Sequence, residues 1–281
     1  MTRLLPHTDQ AIAFIGGGNM ARSLIGGLIA NGWAAENIWV ADNNAQQLES
    51  LNSKFPVHTS EDNEKVAAAA DVLVLSVKPQ VLHAACQRLA AIVQARRPLV
   101  ISIAAGVRQP DIMKWLGGNV DVVRAMPNTP ALVQSGATAL FAAEGLSKSR
   151  RALAESVMRA VGLTLWVRDE HLMDAVTALS GSGPAYIFLV IEAMEAAGVE
   201  LGLDAETARL LALQTAFGAA KMALESSEVP ATLRQRVTSP GGTTERALGV
   251  FEDAGLMALF ERALTAARNR SRELADMLGQ Q

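Results

Sequence analysis

The residues from Thr238 to Glu245, Thr-Ser-Pro-Gly-Gly-Thr-Thr-Glu, set two glycines ahead of a hydroxyl-rich helix start, after which Ala247, Leu248, Val250 and Phe251 follow helical spacing. Free backbone N–H groups at such a start suit a small carboxylate. An ordinary capped helix uses the same residue types. A second stretch, Ala11-Ile-Ala-Phe-Ile-Gly16-Gly-Gly18-Asn-Met-Ala21, runs an apolar strand into Gly-x-Gly-x-x-Ala and then into helical Leu24, Ile25, Leu28 and Ile29. Gly16 permits a tight turn, Gly18 lets N–H groups approach phosphates, and Ala21 keeps the helix close to the strand. The pattern therefore fits a dinucleotide pyrophosphate at a helix N-terminus. A plain strand–turn–helix corner shares it, and its place near the start of the chain favours the nucleotide.

Further polar residues stand where strands end. Ala70 to Leu75 is a buried strand that closes in Ser76-Val77-Lys78-Pro79, so Ser76 and Lys78 face the same crevice, Lys78 within reach of a phosphate or ribose and Pro79 stopping the strand. A simple strand-end turn would read alike. Ser102-Ile-Ala-Ala-Gly106 ends the next strand in residues small enough for a flat ring to lie on the backbone. Met126-Pro-Asn-Thr-Pro130 brackets Asn128 and Thr129 with prolines in a rigid loop, functional or structural. Ser180-Gly-Ser-Gly-Pro-Ala-Tyr186 puts a donor-rich corner inside a long apolar helical stretch, either bending it beneath a ligand or letting two helices approach.

The four histidines, His7, His58, His83 and His171, lie outside these loops, and no His, Cys, Asp and Glu spacing suggests a metal. Cys86 shares a helical apolar face with Leu82, Leu89 and Val93, the setting of a core thiol and not of a nucleophile. The chemistry should need little acid–base machinery.

The elements that position these residues are of two kinds. Apolar runs at 11–15, 38–41, 72–77, 99–103, 120–124, 137–141 and 163–167 alternate with helical patterns, as in βαβ units around a doubly wound, mostly parallel sheet. The shorter intervals late in the series allow an antiparallel edge or meander near 137–141. From about residue 170 only helical patterns remain, at 173–201, 205–226, 231–236, 243–254 and 257–279. The boundary falls in Arg168-Asp-Glu-His171, dividing the chain into 1–168 and 169–281. The helix from Ala185 to Val199 is apolar nearly all round and must be buried on every side. A partner subunit is implied, the alternative being a central helix wrapped by its own chain.

With 281 residues, half of them hydrophobic and 19% charged, two moderate cores are expected. A net charge of −3 with scattered basic residues excludes the electrostatic footprint of a nucleic-acid binder. The uncharged stretch from Ala175 to Ile191 is short for a membrane span and is broken by Ser180 to Pro184. One cysteine and no leader pattern favour a soluble protein of a reducing cytoplasm.

Taken together, Phe14 to Ala21, Ser76 to Pro79, Ile103 to Val107, Met126 to Pro130, Ser180 to Tyr186 and Ser239 to Thr244 resemble pyrroline-5-carboxylate reductases, in motif order and spacing over nearly the whole chain. The resemblance implies a Rossmann-type N-terminal domain, an all-helical C-terminal dimerisation domain, and dimers that assemble into larger rings. The implied reaction is NAD(P)H-dependent reduction of 1-pyrroline-5-carboxylate to L-proline, the last step of proline synthesis. A protonated C=N bond is already an electrophile, so hydride proximity and orientation suffice.

On this resemblance Thr244 is the catalytic residue, hydrogen-bonding the ring nitrogen, with Val237, Ser239, Gly241, Gly242 and Thr243 beside it in substrate binding. Gly16, Gly17, Gly18, Asn19, Met20, Asp42, Asn43, Asn63, Ser76, Val77, Lys78, Pro79, Ala104 and Asn128 are the cofactor candidates. Asp42 ends the second strand, where an acidic residue binds a ribose 2′-OH and repels a 2′-phosphate. Asn43 and Asn44 follow as donors, so NADPH is expected with NADH as competitor. The alternatives are a 3-hydroxyacid dehydrogenase, whose connecting helix would carry a lysine although none occurs between Lys148 and Lys221, and a non-catalytic dinucleotide-binding protein.

Overall fold

The computed structural model describes residues 9–280. In chain order the first half runs β1 (Ile12–Ile15), α1 (Asn19–Ala30), β2 (Ile38–Ala41), α2 (Ala45–Asn52), β3 (His58–Ser60), α3 (Asn63–Ala68), β4 (Val72–Leu75), α4 (Pro79–Arg96), β5 (Leu99–Ser102), α5 (Gln109–Trp115), β6 (Val122–Met126), β7 (Gly136–Phe141), α6 (Lys148–Arg159) and β8 (Gly162–Trp166). Then come α7 (Leu172–Val176), α8 (Gly183–Glu200), α9 (Ala205–Glu225), α10 (Pro230–Arg236), α11 (Thr243–Asp253) and α12 (Leu256–Gly279). These helices and strands form two compact units, residues up to Ser182 together with those from Ala267 onward, and Gly183–Ala266.

The first unit is one eight-stranded sheet in the order β3-β2-β1-β4-β5-β6-β7-β8. Strand side chains alternate between faces, and here both faces are covered. Ile12, Phe14, Val72, Val74 and Ile101 pack with α1 and α6 on one side. Ala13, Ile15, Leu73, Leu75 and Val100 pack with α3 and α4 on the other. The central strands are therefore apolar at every position, as strands buried on both faces must be. Pairing is parallel except between β6 and β7, the antiparallel turn allowed near 137–141. The sequence runs omit β3. Its His-Thr-Ser has no apolar period, and backbone pairing to β2 alone makes it a strand.

The strand order reverses between β1 and β4, which opens a crevice beyond their carboxyl ends. Gly16 stands there at φ 104°, and a Cβ on it would meet the Ser76 carbonyl oxygen at 2.7 Å, so only glycine fits. At the far side of the sheet, Arg124 and Glu170 pair at 2.7 Å while largely buried, and Glu170 also accepts the Gln109 amide at 2.6 Å.

The stretch after Arg168 is helical throughout, as read, but α7 and the end of α12 belong to the first unit. Met173 buries against Ala139 and Phe141, and the Ser271 hydroxyl donates to Asp174 at 2.7 Å between two buried side chains. Ser180 to Pro184 does not break the apolar run. Residues 177–181 form a π turn that carries helix onward, so Leu172–Glu200 is long and apolar enough to cross a membrane by length and composition. A widened turn satisfies the backbone where glycines had suggested a break.

In the second unit α8 packs along α9. No residue of α8 is buried within the chain, and Phe188 and Leu189 are each 65% exposed. Leu210, Phe217 and Phe251 are also exposed. The helix expected to be buried on every side is uncovered in one chain, and its apolar area is what a partner must remove from water, at roughly 25 cal/mol per Å².

Candidate active site

The crevice at the strand reversal is a cavity of about 680 Å³. Gly16, Gly18, Asp42, Asn43, Asn63, Ser76, Val77 and Lys78, all read from the sequence, line it. Gly18 is the N-cap of α1, makes no side-chain cap, and has open space where a Cβ would be. The first α1 amides are thus presented to a phosphate, and the residues present fit a dinucleotide. The Ser76 hydroxyl donates to the carbonyl oxygens of Ile15 and Gly16, at 3.0 and 2.7 Å, locking strand end to loop. Asp42 is likewise engaged, accepting the Gly17 amide at 2.7 Å and the Asn44 amide at 2.9 Å.

Gly17, Asn19, Met20, Pro79, Ala104 and Asn128 are not among the residues lining this cavity. Gly17 is spent on Asp42. Asn19 begins α1 and is exposed, whereas Met20 packs on the core beneath. Asn128 is a strut: its amide oxygen accepts from Ala137 N at 2.8 Å and its nitrogen donates to the Ser180 carbonyl at 3.2 Å. That loop is held to β7 and to the π turn, which is why two prolines flank it. Pro79 starts α4 and lines a separate cavity of about 260 Å³ with Gln80, Ala105, Gly106, Thr177, Ser182 and Arg270. Ala104 is buried just before it.

Sequence reasoning missed Val81, Ala84, Ala85 and Arg88, one face of α4 that walls the larger cavity. They lie opposite the core stripe Leu82, Cys86, Leu89 and Val93, and the small alanines were the available signal. Arg88 brings a cation that the neighbourhood of Asn43 lacks in sequence. Burial pushes the Cys86 thiol up to about 12, so the stripe is inert packing. Among the described residues no group of three potential metal ligands gathers.

In the second unit, α11 begins at Gly242 with no side-chain cap, and Gly241 takes φ 71°. Two of the expected carboxylate donors are occupied. Gly241 N donates to Glu245 Oε2 at 2.7 Å, and Gly242 N donates to the Ser239 carbonyl at 3.0 Å. Glu245 reaches back over its own helix start, as a capping carboxylate does. The Arg246 amide is taken by the Gly242 carbonyl, so the amides of Thr243, Thr244 and Glu245 remain open among the described residues. Thr244 is half-buried, whereas Thr243, Ser239 and Val237 are exposed.

The family model for pyrroline-5-carboxylate reductase dimerisation matches residues 170–274, and that for coenzyme F420-dependent NADP oxidoreductases matches residues 11–106. The pyrroline-5-carboxylate reductase of Pseudomonas aeruginosa is 52% identical over 96% of this chain and 98% of its own length. The chain belongs to the pyrroline-5-carboxylate reductase family. The Haemophilus influenzae reductase is 44% identical over 94% of this chain and 97% of its own. A pyrroline-5-carboxylate reductase structure from Coxiella burnetii superposes with TM-score 0.91 at 52% identity, covering 95% of this chain and 98% of that one. The Plasmodium falciparum pyrroline carboxylate reductase, solved with NADP bound, gives 0.85 at 26% identity, over 96% and 100% of the two chains. A Mycobacterium tuberculosis 3-hydroxyisobutyrate dehydrogenase shares the fold alone, at 18% identity.

Reductases of this family act on a C=N bond, and this chain is a nicotinamide-nucleotide-dependent pyrroline-5-carboxylate reductase that forms L-proline. Its helical second half dimerises, which accounts for the bare apolar surface of α8 and α9.

Proposed function

We propose that this reductase prefers NADPH to NADH, that the cavity beyond β1 and β4 takes the adenosine and pyrophosphate, and that the helix start at Thr243 and Thr244 takes the substrate. The carrying observation is the pair of cations, Lys78 and Arg88, on one cavity wall beside Asn43 and Asn44. Two cations and two amides suit a 2′-phosphate. Asp42, which alone would repel that phosphate, has both oxygens turned onto backbone amides of its own loop.

The reduced nicotinamide, when bound, supplies the hydride. Gly18 and the first α1 amides hold the phosphates by aligned N–H groups. Ala105 and Gly106 offer a flat, narrow wall to a ring. At α11 the open amides of Thr243, Thr244 and Glu245 receive the substrate carboxylate, displacing the internal bond from Glu245 where Gly241 is also needed. The Thr244 hydroxyl, a donor that does not ionise near neutral pH, fixes the ring nitrogen. No group on the chain has to give up a full charge.

Residues 169–281 serve dimerisation and substrate binding in this reading, and assembly of dimers into a ring rests on the family resemblance. The apolar run Leu172–Glu200 is assigned to the partner subunit and not to a lipid surface, and the sparse, scattered cations leave nucleic acid without a footprint. A cytoplasmic setting suits a chain whose only cysteine is a buried thiol. The test is steady-state oxidation of NADPH and of NADH with 1-pyrroline-5-carboxylate. A higher kcat/KM for NADPH is expected, and a higher one for NADH overturns the preference.

A further inference from the structure

At the end of the sheet opposite Gly16, where the chain enters β1, β4 and β5, Gln10, Asp71 and Leu99 open onto a polar cavity of about 320 Å³. The C-terminal end of α4 and the N-terminal end of α6 complete it, bringing Arg96, Arg97 and Arg150 to one space. Three guanidinium groups are drawn together from two helices, and like charges converge only where something offsets them.

The carboxylates nearby do not offset all three. Asp71 accepts the Ala11 amide at 3.0 Å and lies 3.7 Å from Arg96. Asp121 pairs with Arg150 at 2.7 Å. Arg97 meets no carboxylate among the described residues, its guanidinium donating to the Asn119 carbonyl. Its backbone holds φ 55° at the α4 C-terminus, a position where glycine is the ordinary choice. A charged side chain has been kept at a strained position that glycine would relax.

Two further observations point to an anion that also carries a donor. Ser149, in the first turn of α6, lines the cavity, and its amide has no acceptor among the described residues. The Gln10 Oε1 atom is fully buried and has no hydrogen-bond partner. A buried amide oxygen left unpaired is costly and invites a donor.

We propose that this cavity binds inorganic monohydrogen phosphate. Arg97, with Arg96 and Arg150 behind it, supplies charge and directed N–H groups, the Ser149 amide adds a donor, and Gln10 Oε1 accepts the remaining P–O–H. Sulfate has the charge and shape without the proton, and a phosphomonoester loses its last proton near neutral pH. The site selects against both.

The test is calorimetric titration of the enzyme whose dinucleotide site is already saturated with its preferred oxidised cofactor, using inorganic phosphate, sulfate and methyl phosphate in turn. One saturable phosphate site per chain is expected, at least threefold tighter than either comparator, with that preference lost in Gln10→Leu. Arg97→Gly relaxes the backbone, so it should hold or raise the melting temperature while weakening phosphate binding tenfold or more. A folded Arg97→Gly enzyme that binds phosphate as well as wild type overturns the proposal. So does the absence of saturable binding once the dinucleotide site is filled, or equal affinity for phosphate and sulfate in the wild type.

Discussion

Asp42 Oδ2 accepts the backbone amide of Gly17 at 2.7 Å, so the carboxylate at the end of β2 holds the glycine loop at the end of β1. This side chain has two separable effects on cofactor binding, one through the loop it braces and one through its charge. Asp42→Asn keeps an acceptor for Gly17 and removes the charge. It should lower the KM for NADPH by about threefold to tenfold, roughly 0.6 to 1.4 kcal/mol, and leave that for NADH nearly unchanged. Equal shifts for both cofactors would mean that the charge does not face the 2′ position.

Thr244→Val retains shape and removes the hydroxyl. It should reduce kcat/KM by about 10- to 100-fold, or 1.4 to 2.7 kcal/mol of transition-state stabilisation, with cofactor affinity nearly intact. Thr243, one position earlier and turned about 100° around the helix, should matter less to turnover. Near-wild-type kinetics in Thr244→Val would pass the ring nitrogen to a water or to Ser239.

Ile187 is 52% exposed within one chain and belongs to the face that dimerisation covers. Ile187→Glu should abolish the folded dimer outright, because a carboxylate buried among apolar groups of two subunits has no partner. A stable monomer of the wild-type protein in light scattering at low concentration would show that the helix needs no second copy.

Cys86 gives a pH dependence with a definite sign. Burial raises its folded-state pKa from 9.0 to about 12, so the folded protein holds the proton more tightly than the unfolded chain. The stabilisation is complete below pH 9 and is lost as pH rises from about 9 to 12, at roughly 1.4 kcal/mol per unit. Denaturation midpoints across this window should fall more steeply for wild type than for Cys86→Ala. The native thiol should also resist alkylation at pH 8.

Glu170→Ala would leave the guanidinium of Arg124 buried without its carboxylate, since that side chain is only 8% exposed. A loss of about 3 to 5 kcal/mol in urea unfolding is expected. The double change to a matched apolar pair should recover most of it.

The sequence alone determined whatever depends on a residue's own backbone and its near neighbours. Gly16 must sit at positive φ beneath Ser76, strands buried on two faces must be apolar at every position, and Gly241 and Gly242 must open a helix at Thr243. Short-range sterics and periodicity impose these, and the order of the motifs carried the family with them. Tertiary structure decided what depends on partners far along the chain. Asn128 looked equally able to serve a ligand or a loop, until Ala137 and Ser180 were brought to its two amide ends. Arg88 looked like a solvated helix residue, because the period of α4 marks its buried stripe and is silent about what faces the other side. The three arginines around Gln10 are scattered in sequence, and only two helix ends meeting over the strand starts concentrate their charge. Local pattern is set by covalent geometry and solvent, whereas such convergence is set by crossover connections and helix packing, which leave no period to read.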